Sequence, residues 1–385
     1  MAFDKVVDSS QLDAAMTYTA GRIREKTGET ASIPWNATKG FGDAIDAITA
    51  GSQKQIKVHT NAGASVTATM GTQSVSGTAG TDGICLLDVP ENGDWTVSAV
   101  SGTQTAMSQV VTVSDVYDVS VSFVSATLND NSWETIRAVS DRGEGANYWS
   151  VGDCKEVTLN GTVGALTLSN YTTYAFILGF NHNAELEGNN RIHFQLAKTE
   201  ASGGTDVCLC DSSYDSNVST NGYFSMNTSN TNSGGWKSSQ MRTAICGTSL
   251  SNYSGTIIAV IPAALRAVLK SVTKYTDNTG NGSGSTASYV TATTDYFFIL
   301  SEFEVFGSIS YGNTNEKNKQ AQYAYYSAGN SKIKYKHNGT STAAYWWLRS
   351  PNASYSSFFA NVSTDGTFDK TVAGYSLGFA PGFCV

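Results

Sequence analysis

Two glutamates set two residues apart, Glu302 and Glu304 in the run Phe297 to Val305, come closest to a paired-carboxylate acid–base device in this sequence. The run is apolar enough to predict a strand, and residues i and i+2 of a strand share a face. A second use competes: Arg349 is embedded in Trp346-Trp347-Leu348-Arg349, and a guanidinium buried there needs a carboxylate partner. Neutralisation of Arg349 by one or both glutamates is the expected role, so Glu302→Ala should lower the melting temperature. The four histidines, His59, His182, His193 and His337, show neither H-x-x-x-H nor H-E-x-x-H spacing. His182 and His193 are free to approach each other in space, although nothing in the sequence requires it. Of the six cysteines (85, 154, 208, 210, 246 and 384), Cys208 and Cys210 form a C-x-C without the second pair that zinc needs. In a strand both thiols would face one side as small buried hydrophobes. Asp206, Asp211, Asp215 and Asp365 are scattered among Asn and Gly, and no D-x-D-x-D-G loop gathers them around calcium. The expectation is a non-enzyme with no catalytic residues, no metal and no cofactor.

Composition narrows the partners. The 385 residues carry a net charge of −8, which disfavours nucleic acid. Only 15% are charged, while 37 Gly and 19 Tyr among abundant Ser, Thr and Asn point to β-structure with long polar loops. The longest apolar run, Thr256 to Leu265, is of core size, so no membrane insertion is expected. Met1-Ala-Phe-Asp-Lys5 shows no signal-peptide pattern, which predicts a product assembled in a cytoplasm. Sequons such as Asn36 and Asn338 then reflect polar loops more than glycosylation.

The elements that would position any site fall into three domains. Residues 1–51 predict a small helical module. Ser10 and Asp13 fit a capping box before Leu12, Met16 and Ile23, and a second short helix lies around Asp43 to Thr49. So few apolar positions predict packing on copies of itself or on another protein. Residues 52–126 predict an all-β, immunoglobulin-like sandwich acting as a spacer. Apolar and polar residues alternate through Trp95 to Ala99 and Val119 to Phe123, with turn signals at Asn61 to Gly63, Ala79 to Gly83 and Glu91 to Asp94. Residues 127–385 predict one α+β domain. Its expected elements are a helix from Ser132 to Arg142, strands at Lys155 to Leu159, Tyr174 to Phe180 and Ile192 to Leu196, and a short helix burying Trp236, Met241 and Ile245. A further helix has Pro262 at its first position and continues through Val272, and a mobile loop covers Asp277 to Ser285.

The last forty-one residues differ from all of this. Tyr345-Trp-Trp-Leu-Arg-Ser-Pro351 opens the stretch and Gly378-Phe-Ala-Pro-Gly-Phe-Cys-Val385 closes it, both dense and apolar. Between them isolated aromatics stand among Ser, Thr, Asn, Asp and Gly without regular periodicity. Aromatics that supply contact area at low entropy cost, set among adaptable small polar residues, make the composition of a binding surface.

Three further runs occur in order before this frame: Tyr148-Trp-Ser-Val-Gly-Asp153, Asn230 to Arg242 containing Gly234-Gly235-Trp236, and Phe298-Ile-Leu-Ser-Glu-Phe-Glu-Val-Phe-Gly307. Together with the frame they resemble the C-type-lectin-fold variable proteins diversified by retroelements in phages and bacteria, in the branch related to formylglycine-generating enzymes. The N-terminal Ile23 to Gly28 and Phe41 to Ile48 resemble the attachment module of phage tail and baseplate proteins. In the variable family, diversified sites descend from Asn codons AAC or AAT. That resemblance implies Tyr355, Ser357, Phe358, Ser363, Asp365, Thr367, Phe368, Asp369, Lys370, Thr371, Val372, Gly374, Tyr375 and Leu377 as the variable ligand-binding surface, within a variable region of about 345–385. Lys370 departs from the rule, because its codon must end in a purine. Tyr355, Phe358, Phe368 and Tyr375 would be anchors, with Asp365, Asp369 and Lys370 tuning specificity. Cys154, Cys246 and Cys384 do not map onto the cysteine site of the formylglycine-generating relatives, so that activity does not carry over.

The resemblance thus implies a phage tail-fibre or tail-tip receptor-binding protein, located in the virion and expected as a homotrimer. Its partners would be a bacterial cell-surface protein or glycan and other phage tail proteins. The rivals are a surface-displayed cellular variable protein and, less favoured, a formylglycine-generating-type or carbohydrate-active enzyme.

Overall fold

The computed structural model describes residues 17–21, 54–102, 104–114 and 116–385. Among the described residues the protein is β-rich, made of several sheets and a few short helices without a barrel. It divides into two compact units, Met1–Phe123 and Val124–Val385, where the sequence placed a boundary after residue 126. Of the expected N-terminal module only Thr17 to Gly21, a helical stretch, is described. Its capping box and second helix lie outside the described residues. No described helix is long and apolar enough to cross a membrane.

In the first unit, Gln55–His59 pairs antiparallel with Ile84–Asp88 and parallel with Val116–Ser120. A second sheet is built on Ser65–Met70 and Gly93–Ser101, with Gln73–Thr78 and Gln109–Val113 alongside. Alternation decides which side chains go inward: Trp95, Val97 and Ala99 are buried, as are Ile56 and Val58 from the other sheet, and all join one core. The Trp95 indole N–H is satisfied by Glu91 O at 3.1 Å. The expected strand through Phe123 stops at Ser120.

The second unit opens with a helix, Trp133–Asp141. Ser132 caps it by accepting from Thr135 N, and Trp133, Ile136 and Val139 are buried on one face. A five-stranded antiparallel sheet then runs in the order Cys154–Val163, Leu166–Phe180, Ile192–Lys198, Pro381–Cys384, Phe297–Ile299. The strand latest in sequence therefore lies inside the sheet. There the Phe383 ring stacks on Phe194 with centroids 5.3 Å apart and meets Phe297 at 5.2 Å. Gly382 fits because a Cβ would come within 2.9 Å of the Phe298 ring. A separate three-stranded sheet, Trp346–Pro351, Phe358–Val362 and Phe368–Val372, carries the distinctive C-terminal stretch.

Several expectations change here. The apolar run Phe297 to Val305 is not one strand. It is a strand over Phe297–Ile299 and a helix over Glu302–Phe306, started by a capping box in which Ser301 and Glu304 exchange hydrogen bonds. The S-x-x-E spacing was legible and outweighs the apolar run. Pro262 is the cap residue of a helix, Ala263–Val268, that ends before Leu269, and Val272 begins a strand. Asp277 to Ser285 is tied down: Asp277 Oδ1 accepts from Thr279 N and Gly280 N, and Asn281 N donates to Asn232 Oδ1. The stretch expected to lack periodicity forms the hairpin Phe358–Val362 and Phe368–Val372.

Candidate binding surface

The frame around the hairpin is buried throughout: every residue of Trp346–Pro351 and of Pro381–Cys384. The Trp346 and Trp347 indoles donate to Lys332 O and Phe224 O, both at 2.9 Å. Arg349 donates to both oxygens of Glu304, at 2.5 and 2.7 Å, and also to Thr276 Oγ1 and Ile299 O. Burial alone would raise the Glu304 carboxyl, but Arg349 and Lys274 more than reverse this and hold it far below the usual range. Glu302 does not share the task. On a short helix the two glutamates diverge, and the Glu302 carboxylate accepts instead from the backbone N–H groups of Ser310, Tyr311 and Gly312. Burial raises its pKa against those three bonds.

Beneath the frame lies a polar cluster that the sequence did not assemble. Lys274 Nζ sits 2.6 Å from Glu187 Oε2 and 3.0 Å from Glu304 Oε1, and donates to the Tyr323 hydroxyl at 2.8 Å. His182 stacks on Tyr323 with centroids 3.8 Å apart, and the His182 and His193 rings lie 5.5 Å apart. Potential ligand atoms of His182, Glu187 and Glu304 all fall within 4.8 Å of one another. The Lys274 ammonium bridges the two carboxylates and so fills the place of a cation. Cys384 Sγ is 3.4 Å from His193 Nδ1, but that nitrogen also faces Tyr323, while Nε2 has no partner among the described residues. A thiol–imidazole nucleophile needs the second nitrogen oriented by an acid. Burial pushes the Cys384 thiol up to about 12, holds His182 down at about 3 and His193 well below its ordinary value, and raises Glu187 to about 7. The cluster keeps its histidines uncharged and its thiol protonated, in a position closed to solvent.

One hydrolase-type spacing does occur: Gly374-Tyr375-Ser376-Leu377-Gly378 fits G-x-S-x-G. The Ser376 hydroxyl donates to the Asp211 carboxylate at 2.8 and 2.9 Å and is buried, in a strand of two residues rather than a strand-to-helix elbow. Asp206, among the scattered aspartates, pairs with Lys198 and Lys334, and Asp211 also accepts from Phe224 N. The Cys208 and Cys210 sulfurs are buried 3.9 Å apart, and all six cysteines are free.

The hairpin register sorts the expected surface residues by face. Phe358 pairs with Val372, Ala360 with Lys370 and Val362 with Phe368, so Phe358, Lys370, Phe368 and Val372 share one face. Asp369 and Thr371 fall on the other, where Asn361 Nδ2 donates to Thr371 Oγ1 at 2.7 Å. Tyr355, 55% exposed, meets Phe358 edge-on at 5.9 Å. Lys370 Nζ lies over the rings of Tyr311, at 4.5 Å, and Tyr355, at 5.1 Å. Phe368 stacks on Phe306 at 3.7 Å, and Lys332 Nζ lies over Phe306 at 5.7 Å. Asp365 and Thr367 are exposed at the hairpin turn, beside the half-buried Ser363. Hydrogen bonds from Ser363 and Thr367 lower the Asp365 carboxyl to about 2. Ser357 and Tyr375 are half-buried.

Two expected surface residues do not belong there. Leu377 is buried, with its N–H on Phe224 O, because the chain has turned inward toward the closing frame. Gly374 is buried, and a Cβ there would meet Asn217 Oδ1 at 2.5 Å and Asn230 Oδ1 at 2.6 Å, so any side chain must displace both amides. Conversely, Phe306, Tyr311 and Lys332 reach the same face from outside the stretch, and nothing in their spacing announced it.

The backbone that presents Tyr355 is held by residues outside the surface set. Asn232 Nδ2 donates to the carbonyls of Asn352, Tyr355 and Phe358, Asn232 N donates to Ser356 O, and Gly284 N donates to Ala353 O. A model of a domain of unknown function (DUF6273) matches residues 212–385, which takes in the hairpin and its frame but omits three strands of the five-stranded sheet. No curated protein matches the chain.

Proposed function

We propose that this chain is a phage receptor-binding protein of the tail fibre or tail tip. Its C-terminal, C-type-lectin-like domain displays a variable surface to a bacterial cell-surface receptor, behind an immunoglobulin-like spacer and an N-terminal module that joins other tail proteins as a homotrimer. The observation that carries the reading is a separation of labour within one stretch. The bonds that hold the hairpin come from main chain, from Asn232, from Asn361 to Thr371, from the Ser363–Asp365–Thr367 turn and from the buried Arg349–Glu304 pair. Tyr355, Phe368, Asp369 and Lys370 supply none of the framework bonds from their side chains and are at least partly exposed. Such a scaffold tolerates replacement on its face while keeping its fold. Presentation in three copies would let modest single-site affinity suffice. The full burial of the Lys274 cluster argues against an enzymatic use of its reactive groups.

Deep sequencing of the 3′ end of the gene across its source population tests this. Substitutions concentrated at Tyr355, Ser357, Phe358 and the 365–372 hairpin, with Leu377 and Gly374 constant, are the expected result. A hairpin as invariant as the first unit would overturn the reading.

A further inference from the structure

We propose that the ligand of this face is an acidic polysaccharide, read jointly by the hairpin and by three residues outside it, Phe306, Tyr311 and Lys332. The inference rests on the reading of the hairpin as the binding surface and adds the chemistry of what it binds.

The argument begins with the two ammonium groups. Among the described residues neither Lys332 nor Lys370 has a carboxylate within ion-pair distance; Lys319 and Lys336 of the same unit likewise rest on rings without one, but Lys332 and Lys370 are brought together on the one face of the hairpin. Both sit instead over aromatic rings, Lys332 over Phe306 and Lys370 over Tyr311 and Tyr355. A ring face holds the stem and orients the charge without neutralising it. In a chain of net charge −8, two such unneutralised cations on one face mark a site for anions.

The spacing of the charges favours a polymer. Phe368 and Lys370 alternate on one strand face, so the cation–ring pairs Lys332–Phe306–Phe368 and Lys370–Tyr311–Tyr355 follow one another along the surface. Sugar rings present C–H faces that pack on aromatic rings, and uronate or similar carboxylates would meet the ammonium groups between them. Exposed Ser354 and Ser356 flank Tyr355 and supply adaptable partners for sugar hydroxyls. Because Phe306, Tyr311 and Lys332 lie outside the diversified stretch, they would supply a constant affinity for charged sugar, and the hairpin would select among such polymers.

The test uses the full chain and three probes in solution: polygalacturonate, its methyl ester, and poly-glutamate. Polygalacturonate is expected to bind, with affinity falling as salt rises. The ester is expected to bind at least about tenfold more weakly, and poly-glutamate not measurably. Lys332→Gln and Lys370→Gln should each weaken binding by about two- to fivefold, and Tyr355→Ala by about thirtyfold. A circular-dichroism melt of each variant confirms that it folds. Equal binding of ester and acid would overturn the charge reading, and equal binding of poly-glutamate would replace the sugar by an acidic peptide. If no polymer binds, while adhesion to the source bacterium still depends on Tyr355, the polysaccharide proposal fails and the receptor-binding function stands. If adhesion ignores Tyr355, the function itself fails.

Discussion

Within forty-one residues the chain holds two kinds of surface. Trp346–Pro351 and Pro381–Cys384 are buried at every position, and their charge, Arg349, is matched by a carboxylate. Phe368–Val372, joined to the first by the central strand Phe358–Val362, is half-exposed at every position and its lysine has no carboxylate partner among the described residues. The same stretch thus supplies both fully buried framework side chains and a half-exposed strand. In the proposed reading, a position contributes to folding or is left to recognition according to whether its side chain completes a framework contact.

The frame should fail first when this contrast is probed by substitution. Glu304→Ala leaves the buried Arg349 and Lys274 short of a partner and should cost about 3–5 kcal/mol in urea unfolding. Trp347→Ala removes a fully buried indole bonded to Phe224 O and should cost a similar ~3–5 kcal/mol. Glu302→Ala strands the amides of Ser310, Tyr311 and Gly312 and should cost about 1–3 kcal/mol. A loss for Glu302→Ala as large as that for Glu304→Ala would mean that both glutamates, and not Glu304 alone, balance Arg349. On the exposed side, Tyr355→Ala and Asp369→Asn should each change stability by less than about 0.5 kcal/mol.

Acidity gives a further way to sharpen the contrast. Burial keeps His182 at about 3 and His193 well below its ordinary value, so their contribution is fully present above the unfolded value near 6.5 and lost as pH falls through the folded values. Glu187 and Glu316, raised by burial to about 7, act oppositely: their contribution is present below about 4.5 and lost as pH rises toward 7. The two effects oppose each other between about 4.5 and 6.5, so urea midpoints should be nearly level there and drop steeply below about 4.5, where the unfolded chain also takes up a proton on Glu304 that the folded protein excludes. Midpoints that keep rising as the pH falls below that point would mean that the histidines are not held neutral.

How much of this was legible depended on whether the deciding interaction was local. The helix at Trp133 announced itself through its serine cap and spacing, and the first unit through strict alternation around Trp95. The helix at Glu302 was equally local, but the apolar run hid its capping box. The buried cluster was not legible, because Glu187, Lys274, Glu304 and Tyr323 are distant in sequence and on separate elements, two short helices, the cap of a third and a strand, that only the tertiary fold brings together. The proposed binding face was half legible. The hairpin side chains came from the frame and its resemblance, whereas Phe306, Tyr311 and Lys332 arrive by tertiary contact. Gly374 and Leu377 were misplaced because composition does not show where a chain turns inward.

The separation of frame from face is tested most directly by saturation substitution of residues 345–385, each variant scored for protease resistance and for adhesion to the source bacterium. Two distinct sets are predicted. Trp346, Trp347, Arg349, Gly374, Leu377 and Phe383 should lose protease resistance, while Tyr355, Phe368 and Lys370 should keep it and lose or redirect adhesion. A single set of positions governing both readouts, or adhesion indifferent to Tyr355 and Phe368, would contradict the account.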